Sequence, residues 1–250
     1  MRKALSGGYV RSVRLERDQV ASFASYPFSI PAIRDLEELE LDKKVTFLVG
    51  DNGSGKSTLI EAIAVAAGFN PEGGSRNMKF STRSSESELH RRVRVVRGAK
   101  RPRDGFFLRA ESFFNVATEI ERVGVVDGYG GVSLHEQSHG ESFLALLQHR
   151  ISGHGLYIFD EPEAALSPQR QLTMLARMRQ LVEDDGSQFV IATHSPILMA
   201  YPDAWIYELS ARGIQRIRYE ETEHYRITRD FLVGRERFFK HLFADDEPER

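Results

Sequence analysis

The sequence predicts an α/β fold on a mainly parallel central sheet, and three observations carry that expectation. Three short runs, Val45–Val49 (VTFLV), 156–159 (LYIF) and Gln188–Ala192 (QFVIA), are apolar on both alternating faces. Strands of a parallel sheet covered by helices on both sides have this pattern. Each run ends at a polar cluster, the place where open α/β sheets bind ligands. Between the runs lie stretches with helical apolar spacing.

In chain order, residues 10–41 read as strand-rich, an antiparallel β part ahead of the first buried strand. After that strand, Leu59, Ile60, Ile63, Ala64 and Ala67 recur at helical spacing, and Gly68 can stop the helix. From 71 to 105 the composition shifts to Gly, Ser and Arg with weak periodicity; we take about 71–137 as a small inserted helical and loop lobe. A second helix is expected over 138–151, with Phe143, Leu146, Leu147 and Ile151 as its apolar stripe, and a third over 169–182, with Leu172, Leu175, Met178 and Leu181. Residues 204–219 read as a hairpin turning at Ala211-Arg212-Gly213. The expectation is one domain over 1–243, an acidic, frayed tail over 244–250, and no repeat or coiled-coil arm.

The 250 residues can bury about 70% of their unfolded surface without disulfides. With 34 Lys and Arg against 36 Asp and Glu, the net charge is -2, so any contact with nucleic acid or anionic lipid must be a local patch. The absence of Cys excludes thiolate nucleophiles and Cys-ligated metals. The most apolar window, 59–69, carries Glu61 and falls short of the roughly 18 residues that cross a bilayer. Residues 1–20 have scattered charges and no apolar core, so a cytoplasmic protein is expected, with a membrane role disfavoured.

Chemistry concentrates in four places. Gly50-Asp51-Asn52-Gly53-Ser54-Gly55-Lys56-Ser57 satisfies GxxxxGK(S/T) between a strand and a helix. The backbone N–H groups of such a loop turn around phosphate oxygens, Lys56 reaches the β and γ phosphates, Ser57 offers its hydroxyl to Mg²⁺, and Thr58 completes the set. Asp160-Glu161-Pro162 puts two carboxylates at the end of a second strand. Asp160 is expected to hold Mg²⁺, and Glu161 to orient or deprotonate the attacking water. Thr193-His194-Ser195-Pro196 closes the third strand; if that strand neighbours the first, His194 can reach the γ-phosphate or the water. Ser138-His139-Gly140-Glu141-Ser142 opens a helix as either an N-cap or an anion site.

Taken in order, P-loop, SxGE, a strand ending DEP and a strand ending TH, over roughly residues 10–209, the chain resembles the ATP-binding cassette (ABC) ATPases. The motifs correspond to that family's Walker A, signature, Walker B and switch histidine. The resemblance implies ATP and Mg²⁺ as ligands, ATP hydrolysis, and an ATP-dependent homodimer in which Ser138 and Gly140 contact the nucleotide bound by the partner copy. The string DEPEAALSP and the THSP ending are more similar to the soluble OLD-type and RecF-like heads, and to small stand-alone proteins of the AAA family ATPase type, than to transporter cassettes. An ATP-binding subunit of a membrane transporter is the alternative. In either case an unidentified protein partner is implied.

The family's Q-loop Gln is missing, and Arg109 or Glu111 stands in its place. Phe23, Tyr26 and Phe28 are the aromatic candidates for the adenine. Arg91, Arg92, Arg94, Arg97, Lys100, Arg101 and Arg103 form one dense basic run, either a nucleic-acid contact or, favoured here, a solvated edge hairpin. Glu223 and His224 lie in a stretch read as surface, without recognisable ligand spacing.

Overall fold

In the computed structural model, which describes residues 8–78 and 87–243, the chain builds two sheets. Its elements are β1 (Val10–Leu15), α1 (Pro31–Arg34), β2 (Glu38–Glu40), β3 (Val45–Val49), α2 (Lys56–Ala67), β4 (Gly74–Ser75), β5 (Val93–Arg97), β6 (Asp104–Arg109) and α3 (Phe113–Val123). There follow α4 (His139–Ala145), β7 (Gly155–Asp160), α5 (Pro168–Glu183), β8 (Gln188–Ala192), α6 (Pro196–Met199), β9 (Trp205–Ser210), β10 (Gly213–Ile217) and α7 (Glu223–Leu242). The large sheet has the order β10-β9-β3-β8-β7-β6-β4. Its five inner strands are parallel and both edges antiparallel.

The apolar runs are strands because each side chain finds a core. Phe47, Phe106, Tyr157, Phe159, Phe189 and Ile191 enter one core with α3, α4 and α5. Leu48, Phe107, Leu156, Ile158 and Val190 enter the other, with α2 and the small sheet β2-β1-β5. Alternate residues of one strand thus feed opposite layers, as a two-sided sheet requires. Gly68, at φ 100, closes α2 with its N–H on the carbonyls of Ala64 and Val65. The hairpin over 204–219 forms as expected, β9 against β10 with Ser210 opposite Gly213.

Three local expectations change. Residues 16–37 run as turns and α1 rather than strand, because Arg17, Asp18 and Gln19 form a single tight turn and Pro31 starts a helix. Within 71–137, β4, β5 and β6 belong to the sheets, and the longest described stretch outside them is 110–137, built on α3. The basic run is not a hairpin: β5 pairs with β1, about 80 residues earlier, and forms the edge of the small sheet. The acidic tail lies outside the described residues.

The two sheets are tied by one fully buried side chain at the start of β8. Gln188 Oε1 accepts from the Val10 N–H at 2.9 Å, and its amide nitrogen donates to the carbonyls of Val10 at 2.8 Å and Asp42 at 2.7 Å. An apolar side chain of equal length would strand three backbone groups. Gln188→Met is therefore expected to cost about 2–4 kcal/mol, read as a lower urea midpoint at unchanged slope; an unchanged midpoint would show that these groups find other partners.

Candidate functional site

The loop 50–55 joins β3 to α2 with a backbone that only its glycines permit. Gly50 sits at φ 140, where a Cβ would lie 2.2 Å from the Leu209 carbonyl oxygen of β9. Gly55 sits at φ 98 at the mouth of α2, where a Cβ would lie 2.9 Å from Ile30. The loop therefore wraps back over the helix start, whose free N–H groups favour an anion. Lys56 is 4% exposed, and its Nζ donates to the carbonyls of Gly50 and Asp51, each at 2.8 Å. Burial holds that ammonium below the usual lysine range, against the pull of Glu161, Asp160 and Asp51. The Ser54 hydroxyl is buried without a partner, an orphan that a phosphate oxygen would satisfy.

Beside the loop, at the end of β7, Asp160 accepts from the Ser57 hydroxyl at 3.2 Å. The two oxygens form a hard donor pair of the kind that suits Mg²⁺. Arg109, at the end of β6, stands directly across from Asp160 in the parallel register, with its Nε 3.8 Å from the Asp160 carboxylate. The same guanidinium pairs with Glu61 of α2 at 2.6 Å and reaches Glu111 at 3.6 Å. Of the two residues at the Q-loop position, Arg109 is turned in, while Glu111 is 87% exposed on its side chain.

The third strand completes the cluster. β8 pairs in parallel with β3 on one side and β7 on the other, which brings His194 to Glu161, with Nε2 3.3 Å from the carboxylate. Glu161 adopts a left-handed backbone at φ 50, and its N–H donates to the Ala192 carbonyl at 2.9 Å. Such strain in a non-glycine residue is tolerated where surroundings over-determine it. Glu163 accepts from the His194 backbone N–H at 2.5 Å, and its carboxyl is pushed up by burial. The other face of the His194 ring meets His224 of α7, Nδ1 to Nε2 at 2.9 Å. Burial first, then the Lys56 charge, hold the His194 imidazole below its usual range, which favours the neutral ring. Sequence reasoning missed Glu61, Glu163 and this role of His224. Only Glu163 left a signal, as the third acid of the DEPE string.

Ser138 and Gly140 stand apart from these groups. Ser138 donates to Glu141 from its hydroxyl at 2.5 Å and from its N–H at 2.9 Å, and Arg170 reaches both residues. Among the described residues, no hydrogen bond or ion pair links Ser138 or Gly140 to Lys56, Asp160 or His194. Of the aromatic candidates, Tyr26 is exposed and lies 3.3 Å from the Thr58 hydroxyl at the loop end. Phe28 is buried in the core with Phe23 packed edge-on against it, so it offers no free face.

The basic run divides. Arg92 donates to Gln19, Arg94 lies 3.9 Å from Glu16, and Arg97 donates to the Ala67 carbonyl. Lys100, Arg101 and Arg103 instead join Lys43 and Lys44 around a cleft of about 710 Å³ at the amino ends of the parallel strands, which Asp184 and Asp185 also line.

Burial pushes the Asp160 carboxyl up to about 7, while Arg109 pulls it down and Glu161 adds to the rise. Unfolded, it would titrate near about 3.9. The folded state thus holds this proton more tightly, so stability from this group falls as pH rises from about 4 to about 7. Without nucleotide, Asp160→Asn is expected to stabilise the protein at pH 8, by at most about 4 kcal/mol, with the gain fading toward pH 4. Thermal melts at the two pH values check it; a variant less stable than wild type at pH 8 would contradict the expected sign.

The family model described as AAA domain matches residues 19–191. A protein of Geobacter sulfurreducens named as an ABC transporter ATP-binding protein is 24% identical over 208 residues, 77% of this chain and 74% of its own. The thiamine import ATP-binding protein ThiQ of Vibrio cholerae is 30% identical over 170 residues, 61% of this chain and 69% of its own. Among solved structures, an ABC transporter in an inward-facing conformation matches with a TM-score of 0.51 at 15% identity, over 88% of this chain and 87% of that one. With the matched span covering both the loop at Lys56 and the strand ending at Asp160, the chain belongs to the AAA domain family, as an ABC-type P-loop ATPase.

Proposed function

We propose that the chain binds Mg·ATP at residues 50–58 and hydrolyses it, two copies closing face to face around two nucleotides to drive or gate a partner. The observation that carries this reading is the convergence of Lys56, Ser57, Asp160, Glu161 and His194 at the carboxyl ends of three adjacent parallel strands. The N–H groups of loop 50–55 face the phosphates, and Lys56 exchanges a loop carbonyl for a β or γ oxygen. Ser57 and Asp160 would hold Mg²⁺, which when bound neutralises charge on the β and γ phosphates. Among the described residues no cluster of three or more acids and histidines could hold a metal alone, so phosphate and water would have to complete its shell.

In the reaction, the water oxygen bonds to the γ-phosphorus as the bond to the β-phosphate oxygen breaks. Glu161 takes the water's proton, ADP leaves with the electron pair, and His194 donates to the γ-phosphoryl oxygens. Arg109 takes the place of the Q-loop Gln beside Asp160. Ser138, exposed and unlinked to its own chain's cluster, supports a role toward a second copy's nucleotide.

Lys56→Ala is expected to abolish nucleotide binding. Glu161→Gln should lower kcat about 10²–10³-fold while binding persists, trapping a dimer that gel filtration with ATP resolves. A purely monomeric Glu161→Gln protein would rule out closure around shared nucleotides.

The names of the relatives support a second reading, the ATP-binding subunit of a membrane transporter. No helix among the described residues is long and apolar enough to cross a membrane, so such a role needs a separate spanning chain. Recovery of that chain with the protein from detergent-solubilised membranes would establish it. The cleft lined by Lys43, Lys44, Lys100, Arg101 and Arg103 instead supports a nucleic-acid backbone as the gated partner. On that reading, DNA or RNA stimulates hydrolysis at low salt, and Ala at positions 100, 101 and 103 removes the stimulation.

A further inference from the structure

We infer that His224, at the start of α7, is a positioning residue that acts with Glu161 to fix which ring nitrogen of His194 carries the proton, so that the His194 N–H faces the reacting phosphate side. The inference rests on the ATPase reading for its catalytic consequence, but not for the contact itself.

The argument is one of donors and acceptors. A neutral imidazole has one N–H donor and one acceptor nitrogen. His194 Nε2 faces the Glu161 carboxylate at 3.3 Å, and a carboxylate can only accept. The arrangement that avoids two lone pairs facing each other puts the proton on His194 Nε2. Nδ1 must then accept, and the group in front of it is His224 Nε2 at 2.9 Å. His224 therefore donates from Nε2 to His194 Nδ1, and the His194 Nε2–H, buried beside Glu161 without a hydrogen bond, is left free for the phosphate side. The ring centroids lie 5.0 Å apart with their planes inclined at 63°, and the two nitrogens are the atoms in contact.

His224 is held by the same segment that carries His194. Thr222, fully buried, caps α7 by accepting from the Tyr225 N–H at 3.4 Å, and its hydroxyl donates to the Tyr219 carbonyl at 2.8 Å. Tyr219 in turn donates from its phenol to the carbonyl of Pro196 at 3.0 Å, two residues after His194. Thr193 and Ser195 fix the other side of the segment: the Ser195 N–H donates to the Thr193 hydroxyl, and the Ser195 hydroxyl caps α6. Both histidines thus hang from one braced unit, and the remainder of α7 contributes no buried residue.

The test compares His224→Phe, which keeps a ring but no donor, with His224→Gln, whose amide nitrogen can take the place of Nε2. His224→Phe should lower kcat about 10-fold with KM unchanged, and His224→Gln should restore most of it. Nitrogen-15 NMR of the His194 imidazole gives a readout independent of turnover. The proton should sit on Nε2 in wild type and in His224→Gln, and become shared with Nδ1 in His224→Phe. Either an Nδ1 proton in wild type or unchanged kcat and tautomer in His224→Phe overturns the inference. A wild-type protein with the Nε2 proton but no ATP hydrolysis would sink the ATPase reading and leave the positioning contact standing. Matching thermal melts exclude misfolding of the Phe variant, and if it melts early, the wild-type tautomer and His224→Gln decide.

Discussion

Parallel pairing is the constraint from which the rest of the structure follows. Strands that run the same way end at the same edge, so β3, β8 and β7 deliver the loops at Gly50, Thr193 and Asp160 to one crest of the sheet. Groups separated by more than a hundred residues, such as Ser57 and Asp160, reach hydrogen-bond distance without long-range steering by loops. The cost is that these strands must be covered on both faces, which is why nearly every residue in them is apolar.

Charge at that crest is balanced locally rather than by solvent. Asp160 is buried against Ser57 and Arg109, Lys56 against two loop carbonyls, and Glu163 against the His194 amide. Low local dielectric makes each of these contacts strong and each missing partner expensive. Among the described residues, orphans remain at the Ser54 hydroxyl, Arg109 Nε, Glu163 Oε2, His194 Nε2 and two nitrogens of Arg76. All but those of Arg76 lie at the carboxyl ends of the parallel strands, where a polar ligand would complete them.

Much of this was legible in the sequence. The strands announced themselves because two-sided burial leaves no polar alternation, and the phosphate loop because its glycines are needed at fixed places, as the close approach of Gly50 to Leu209 shows. What stayed hidden depends on pairing at a distance. Nothing local in Arg109 reveals that it will face Asp160; only the register of β6 on β7 does that. The basic run read as a hairpin because Arg and Val alternate along it, yet β5 and the β6 that follows it join different sheets. His224 looked like surface because its partner lies 30 residues away, with no periodicity to connect them.

The tight fit of Gly140 has a mechanical meaning. A Cβ there would lie 2.8 Å from the Ala165 carbonyl oxygen and 2.2 Å from Arg170, so α4 presses its backbone onto the turn that follows Glu161. With no side chain as a cushion, neither can slide without pushing the other. Force applied where α4 begins is felt by the turn that carries the carboxylate, and rearrangement at that turn is felt at the outer surface in return.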